Sequence, residues 1–542
     1  MSDSAVIPSG AARGRPEGGP RLDHGMHLGG LVAFLLVLVA GLSYAVVSLI
    51  ADMNAVGEAP LAYGAFALLG LALLIALGFE FVNGFHDTAN AVATVIYTHS
   101  LPPLVAVIWS GFFNFLGVML SSGAVAYAIV TLLPVELILN VGSHAGYAMI
   151  FALLLAAIIW NLGTWAFGLP NSSSHALIGS VLGVGLANQL MNGGDGTSGV
   201  DWTQALNVFK ALLFSPVCGF VLAALLLLAL KFAVRRKDLY EAPKGDTPPP
   251  LWIRGLLILT CTLVSFFHGG NDGQKGMGLI MLILIGAAPT AYALNRTMAD
   301  DTTPTFVQSS TAASQVFSAR APGAPAPDAA AARRTVTEAL KTKALDQPPV
   351  YAALAALSND IAASVKSYGA IRTVPAAQTQ NLRSDMYLAA DAVRLLPGTG
   401  ADLSETDKAT LKRYSSLLND GTRYIPGWVK VCVALALGLG TMVGWKRIVV
   451  TVGEKIGKTH LTYAQGASAE IVAAGTIGLA ELYGLPVSTT HILSSGVAGT
   501  MAANGSGLQT STVRNMALAW ILTLPAAITL AALLFFLLRH LF

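Results

Sequence analysis

The chain has 542 residues, of which 54% are hydrophobic and only 11% are charged. Soluble domains carry about 25% charged residues, so this composition predicts that most of the chain lies in lipid. The net charge of +3 is too small and too scattered to indicate a nucleic-acid partner. The three cysteines have neither the spacing nor the exposure of a disulfide or metal framework, which predicts buried thiols.

The N-terminal part of the chain is predicted to stand apart from the rest. Residues 1–26 are rich in Gly, Pro and Arg and indicate a disordered tail. Residues 27–60 are predicted to hold an extra membrane helix and a link, because the apolar run 27–50 is too long for the core of a signal peptide.

A first membrane repeat is predicted over residues 61–230, and its first polar motif is Phe81–Ala91. This motif places His86, Asp87 and two asparagines in otherwise apolar sequence. A carboxylate at membrane depth costs about 2.5–3.5 kcal/mol on insertion scales, so it is a functional candidate by default. Gly84 is the expected position of a helix break.

The second polar motif of this repeat, Pro170–His175, joins a proline to three hydroxyls and an imidazole. Proline ends one helix, and a hydroxyl can cap the start of the next. A basic loop at residues 231–254 follows the repeat, and the positive-inside tendency puts it in the cytoplasm.

A second membrane repeat is predicted to begin at residues 255–294 and to end at residues 426–542. It carries a related acidic motif around Asp272 and a second hydroxyl motif, Pro486–His491. Another basic loop, at residues 446–458, leaves open which side of the membrane each loop occupies.

Residues 295–425 separate the two parts of the second repeat and are predicted to form a small soluble helical insert. Charges of both signs appear there, together with apolar residues at spacings of three and four. The four helical patterns cover residues 330–345, 354–365, 382–396 and 411–418. Ser404 is predicted to cap the last of them.

The two motif types recur in the same order, which indicates an internal duplication. Asp87 precedes His175 by 88 residues, and Asp272 precedes His491 by 219. The difference is close to the length of the insert. Duplicated halves with breaks at matching positions are typical of secondary transporters, whose binding sites lie at the repeat interface. The alternative is a duplicated helix-packing motif.

The hydroxyl motifs are predicted to bind an oxyanion. The N-terminus of a helix presents free N–H groups and about half a positive charge, and two such ends would hold an anion with neutral donors. Capping alone is the alternative role. The candidates are Ser172, Ser173, Ser174, Ser488, Thr489 and Thr490.

The acidic motifs are predicted to handle a coupling charge, because Asp87 and Asp272 would repel a bare dianion. Asn90 and Asn271 can add neutral oxygen ligands beside them. Lys275 can attract the anion, pair with an aspartate or replace a cation site by a fixed charge; snorkelling to an interface is the other possibility.

Several titratable residues in the motifs and in apolar sequence are candidates for a proton relay, although any one of them can simply be a satisfied polar side chain. The candidates are His175, His268, His491, Glu80 and Glu470.

At these motifs the chain resembles the inorganic phosphate transporter (PiT) family, in its bacterial low-affinity branch. The family motif Gly-Ala-Asn-Asp-Val-Ala-Asn-Ala is similar to Gly84–Ala91 and to Gly269–Gly276, and both hydroxyl motifs match as well. The resemblance implies an all-α polytopic membrane protein with about 10–12 transmembrane helices. These form two inverted repeats with broken or re-entrant helices, which move phosphate by alternating access.

The same resemblance implies uptake across the bacterial cytoplasmic membrane, by symport with protons or with sodium. The cargo is phosphate alone or its neutral complex with a divalent metal (Mg, Ca, Mn, Zn or Co), and no resident cofactor is expected. His86 replaces an asparagine of the family motif, and Gln274 with Lys275 replaces Ala-Asn. We place His86 and Gln274 with the two aspartates at the coupling ion or metal, and the departures favour protons. A homodimer is left open.

Three other functions compete with phosphate transport. A carrier of another oxyanion such as sulfate would use the same scaffold. An intramembrane hydrolase using Ser174 and His175 is disfavoured, because adjacent residues rarely face each other and no nucleophile elbow is present. A receptor that transports nothing would rely on the insert. We expect a transporter and no enzyme.

Overall fold

The computed structural model describes residues 20, 22, 28–56, 61–87, 89–130, 132, 143–191, 200, 202–243, 245 and 247–541. Most of the predicted tail 1–26 lies outside these residues, as does Thr88. The described chain is helical, and its β-structure is one isolated bridge between Gly457 and Leu508.

The helices of the described chain are numbered here in order. Up to residue 292 they are α1 (Leu28–Ala55), α2 (Tyr63–Asp87), α3 (Ala89–Tyr97), α4 (Pro103–Leu120), α5 (Ala124–Val130), α6 (His144–Ala166), α7 (Ser173–Met191), α8 (Trp202–Ala233), α9 (Leu251–Ala287) and α10 (Pro289–Tyr292). Beyond it they are α11 (Thr303–Ala319), α12 (Ala329–Thr342), α13 (Pro348–Tyr368), α14 (Ala376–Leu395), α15 (Glu405–Thr422), α16 (Gly427–Thr441), α17 (Lys446–Val450), α18 (Tyr463–Leu482), α19 (Thr489–Asn504) and α20 (Thr510–Leu538).

Seven stretches of the described chain are long and apolar enough to cross a membrane, or eight if the bent pair α15–α16 is one span. The all-α polytopic membrane architecture predicted from the sequence is therefore confirmed. The predicted count of about 10–12 spans is reached only when α7, α18 and α19 are included. These helices carry the polar residues that lower their hydropathy, and most of their residues are buried.

The packing of the helices follows the predicted duplication. The contact of α9 with α4 has its counterpart in the contact of α2 with α16, and α19 packs on α8 as α7 packs on α20. The pairs α6–α7 and α18–α19 correspond in the same way. Because the main partners of each half belong to the other half, the two halves interlock.

Helix breaks occur at the hydroxyl motifs, as predicted, but not at Gly84. Helix α2 continues through Gly84 to Asp87, and the second acidic motif lies inside the unbroken helix α9. A side chain at Gly84 would place Cβ 2.2 Å from the carbonyl oxygen of Leu437, and one at Gly269 would meet that of Asn114 at the same distance. These glycines therefore permit close helix contact and do not break the helix.

Helices α11–α15, here called the insert, have an apolar core of their own that includes Phe306, Leu357 and Tyr414. The four predicted patterns correspond to α12–α15, and Ser404 caps α15 by accepting a hydrogen bond from the Asp407 amide at 3.1 Å. Helix α11 was not predicted, because its buried face is built mainly from serine and alanine.

Candidate functional site

The first hydroxyl of each hydroxyl motif caps a helix. Ser172 Oγ accepts a hydrogen bond from the His175 amide at 3.1 Å, and Ser488 Oγ accepts one from the His491 amide at 3.1 Å. The two motifs therefore begin α7 and α19 with the same local geometry. For Ser172 and Ser488 the capping role holds, while their O–H groups can still donate.

The second hydroxyl of each motif makes no hydrogen bond to any described residue. Ser173 Oγ and Thr489 Oγ are both buried, and neither has a hydrogen-bond partner among the described residues. A buried hydroxyl without a hydrogen bond destabilises the folded state. Two of them at equivalent positions therefore make this a candidate site for a ligand that supplies the missing hydrogen bonds.

The third hydroxyl of each motif contacts the acidic motif of the opposite half. Thr490 Oγ1 donates to Asp87 Oδ1 at 2.8 Å. Ser174 Oγ accepts from Lys275 Nζ at 2.5 Å and donates to the Val487 carbonyl at 2.9 Å. These crosswise contacts join the four motifs into one buried polar cluster.

The charges of this cluster are held close together. His86 Nδ1 lies 2.9 Å from Asp87 Oδ1, and its Nε2 lies 3.3 Å from Thr164 Oγ1. Lys275 Nζ lies 2.6 Å from Asp272 Oδ1, and all of these side chains are buried. The snorkelling alternative for Lys275 is therefore wrong, because the ammonium is fully enclosed.

Three residues of the cluster can hold a metal ion. One ligand atom each from Asp87, His268 and Asp272 lies within 4.8 Å of the others. His268 Nδ1 lies 2.7 Å from Asn114 Oδ1, which fixes the ring so that Nε2 faces Asp272 Oδ2 at 3.7 Å. Carboxylates suit Mg²⁺, Ca²⁺ and Mn²⁺, and an imidazole adds affinity for Zn²⁺ and Co²⁺.

The structure does not bring Gln274 to the aspartates. Its Oε1 accepts from the Val125 amide at 2.9 Å, and its Nε2 donates to the Gly270 carbonyl at 2.7 Å. Residues two apart on a helix face different directions, so Gln274 points away from Asp272 and stabilises the start of α5.

The predicted asparagines differ in how much can be described. Asn271 Nδ2 donates to the Leu485 carbonyl at 3.2 Å, and its Oδ1 has no partner within the described chain. The side chain of Asn90 lies outside the described residues.

The histidines of the hydroxyl motifs stack on each other where α7 and α19 begin. The ring centroids of His175 and His491 are 4.6 Å apart, and His491 also stacks on Trp520 at 4.2 Å. His175 Nδ1 and His491 Nε2 are buried without a partner in the described part of the chain. The stack brings the two histidines predicted for a proton relay into contact, and the relay itself stays a prediction.

The two predicted glutamates lie in different surroundings. Glu80 approaches the backbone at Gly276 and interacts electrostatically with Asp272 and Lys275, so it borders the charged cluster. Glu470 instead accepts a hydrogen bond from Thr260 Oγ1 at 2.5 Å, on a different pair of helices.

Two contributors to the site were missed from the sequence, Asn114 and Thr164. Asn114 is a polar residue within the apolar run 104–133, which is a usable signal. Thr164 carries no such signal, because single threonines are common in apolar helices.

Buried charges and unpaired hydroxyls at the interface of two interlocked halves define the class of secondary membrane transporters. The chain matches the family described as "Phosphate transporter family" over residues 83–531 and belongs to it.

Curated relatives agree with this assignment. The chain is 43% identical to the low-affinity inorganic phosphate transporter PitA of Escherichia coli (strain K12), over 87% of this chain and 96% of the relative. It is 40% identical to the low-affinity inorganic phosphate transporter of Buchnera aphidicola subsp. Acyrthosiphon pisum, over 86% and 96%. A probable low-affinity inorganic phosphate transporter of Bacillus subtilis is 29% identical, over 87% and 97%. All three are named as transporters, in agreement with the transporter class expected from the sequence.

The solved structure of a protein named the sodium-dependent phosphate transporter also aligns with the chain. The alignment has a TM-score of 0.49 at 20% identity and covers 88% of this chain and 100% of that one.

Proposed function

We propose that this protein takes up inorganic phosphate across the bacterial cytoplasmic membrane by proton-coupled symport with alternating access. The observation that carries the proposal is a pair of buried hydroxyls, Ser173 and Thr489, at the starts of α7 and α19, which have no hydrogen-bond partner among the described residues. Both helix N-termini favour an anion, and the O–H groups can donate to phosphate oxygens. The family and the names of its curated relatives support phosphate as the cargo.

Lys275 supports protons over sodium as the coupling ion. Its ammonium group lies within hydrogen-bond distance of both Asp272 and Ser174, where a bound cation would otherwise neutralise the carboxylate. A covalently attached cation cannot travel with the cargo, so the Lys275 ammonium cannot itself be the coupling ion. The coupling proton is then carried by the His86–Asp87 pair in the other half.

A divalent metal can accompany phosphate as part of the cargo. Asp87, His268 and Asp272 offer two carboxylates and one imidazole next to the proposed phosphate position. A metal phosphate would leave less negative charge facing the two carboxylates than a bare dianion does. Free phosphate and metal phosphate are therefore separate conditions of the same experiment.

The test is labelled-phosphate uptake into proteoliposomes, with pH gradient, sodium and divalent metal varied one at a time. We expect an acidic outside to drive uptake without sodium. The internal pH, followed with an enclosed pH-sensitive dye, should fall faster when phosphate is present, because protons enter with it. Strict dependence on sodium would refute proton coupling, and uptake of sulfate without phosphate would refute the cargo. No uptake of either anion would favour a receptor.

A further inference from the structure

The insert contains a fully buried guanidinium that no acidic side chain of the described residues neutralises. Arg383 on α14 is only 4% exposed, and its Nε and Nη1 have no hydrogen-bond partner among the described residues. Burial lowers the pKa of Arg383, but an arginine stays protonated in a protein. A buried positive charge with free N–H groups needs an acceptor that the described chain does not provide.

A second guanidinium and two tyrosines surround this one. Arg423 lies in the link where the chain bends by 75° between α15 and α16, and its guanidinium is 5.3 Å from the ring centroid of Tyr127 on α5. The guanidinium of Arg383 is 5.8 Å from the ring centroid of Tyr387. Both tyrosines interact electrostatically with both arginines, so the four side chains form one cluster.

The cluster carries excess positive charge and free donors. The carboxylate that faces it from the described part of the chain, Asp391, is already held by Arg394 at 2.6 Å. The tyrosine rings stabilise the cations, but their faces do not accept strong N–H hydrogen bonds. The buried hydroxyl of Tyr127 is also without a partner within the described chain.

We propose that Arg383, Arg423 and Tyr127 bind a phosphate group at the seam between the insert and the membrane helices. Guanidinium forks match phosphate oxygens, and a phenol adds one more donor. The three residues come from α14, from the α15–α16 link and from α5, so the bound group ties the insert to the membrane part. The phosphate group belongs either to free inorganic phosphate or to an anionic lipid headgroup, and it is separate from the transported cargo.

The experiment uses the full-length chain purified in neutral detergent and depleted of lipid. Ser173→Ala and Thr489→Ala are combined as a background, so that binding at the proposed transport site does not mask a second site. One arm titrates inorganic phosphate, and the other titrates phosphatidylglycerol against phosphatidylcholine. Equilibrium binding and the midpoint of thermal unfolding are measured in both arms.

We expect one of the two ligands to bind and raise the unfolding midpoint, and Arg383→Gln or Arg423→Gln to weaken that binding about tenfold or more. Tyr127→Phe should weaken it less and serves if an arginine variant fails to fold. The matched control is Arg372→Gln, which removes an exposed arginine of the same insert that pairs with Asp300. The proposal would be overturned if all three variants, Arg383→Gln, Arg423→Gln and Tyr127→Phe, bound both ligands as tightly as the unsubstituted background does.

A carboxylate from the chain itself is the competing partner for Arg383. Glu136 is the one acidic residue in the segment 133–142, which follows α5 and lies outside the described residues. If Glu136 supplies the partner, Glu136→Gln destabilises the protein as much as Arg383→Gln, the double variant adds nothing further, and neither ligand binds. That result would also overturn the proposal.

Discussion

At the scale of single residues, the site divides its work among three successive hydroxyls in each half. The first caps a helix, the second has no hydrogen-bond partner among the described residues, and the third contacts the acidic motif of the other half. The sequence predicted that these residues and the aspartates share a site. It could not separate their roles, because Ser172, Ser173 and Ser174 are chemically identical and only their rotation about the helix start distinguishes them.

Loss of the free hydroxyls should weaken phosphate binding and leave the fold intact. For Ser173→Ala and Thr489→Ala we expect KM to rise about tenfold or more each, since a hydrogen bond to a charged group contributes about 1.5–3 kcal/mol. Uptake kinetics and the unfolding midpoint check this. Ser180→Ala is the matched control, because Ser180 is buried on the same helix but already donates to the Ala176 carbonyl. An unchanged KM in both variants would remove these residues from the site.

Neutralising either aspartate should stop transport while the protein still inserts. Asp87→Asn and Asp272→Asn keep the shape of the side chain but leave His86 or Lys275 beside an uncharged partner. Each variant removes the carboxylate charge that the coupling ion needs, so we expect uptake to fall to background; the unfolding midpoint should also fall, because disrupting a buried charge pair costs about 3–5 kcal/mol. The measurement is uptake per molecule of protein in the membrane. Normal uptake by either variant would exclude that aspartate from the mechanism.

Replacing the fixed cation should change the ion dependence of uptake. Lys275→Asn leaves the buried Asp272 carboxylate without its cation and supplies an amide in place of the ammonium. We therefore expect sodium-independent uptake to fall to a small fraction of the wild-type rate and added sodium to restore part of it. Uptake with and without sodium at one pH is the measurement. Lys408→Asn removes an exposed lysine paired with Glu405 and should change neither rate. Wild-type uptake without sodium in Lys275→Asn would contradict the role of Lys275.

At the scale of helices, the sequence motifs predicted where helices break at the hydroxyl motifs, but they did not predict which helices pack against each other. The breaks predicted before α7 and α19 are present, because a proline ends a helix and a hydroxyl caps the next one through contacts between neighbouring residues. Gly84 was expected to break α2, yet it is a contact point. A glycine in apolar sequence serves either role, and the choice depends on a partner helix, α16, that is more than 300 residues away.

Close helix contact makes a specific demand on these glycines. We expect Gly84→Ala and Gly269→Ala to lower the unfolding midpoint strongly, since a new methyl group would lie 2.2 Å from a backbone carbonyl and the helices would have to separate. The cost is about 1–3 kcal/mol or more. Gly70→Ala on α2 is the control, because nothing lies within 4 Å of its added Cβ. Midpoints equal to that of Gly70→Ala would refute the close contact.

At the scale of the whole molecule, α1 is mostly exposed but is hydrogen-bonded to two places in the second half, the end of α10 and the start of α16. Asp52 Oδ2 accepts from the Tyr292 hydroxyl at 2.9 Å and from Trp428 Nε1 at 2.9 Å. Helix α1 also packs on α16. Such long-range contacts could not be predicted from the sequence, because nothing local to Asp52 indicates Tyr292 or Trp428.

Removal of this anchor should loosen α1 without stopping transport. For Asp52→Ala we expect the free energy of unfolding to fall by about 1–2 kcal/mol, because two hydrogen bonds to a partly exposed carboxylate are lost. Asp238→Ala, which breaks an exposed pair with Arg236, should cost less. Thermal unfolding and proteolysis near residue 57 provide the measurement. Equal costs for the two variants would contradict the anchor.

The interlocking of the halves also governs how the protein is made. Helix α7 packs on α20, which begins 319 residues after α7 ends. At about 5–20 residues per second, the ribosome needs roughly 15–65 s to reach it. Ser174 can meet its partners Lys275 and Val487 before α20 is made, but α7 lacks its packing partner α20 through that interval. A chain that stalls before residue 510 leaves the face of α7 that packs on α20 uncovered, so the two halves interlock fully only late in synthesis.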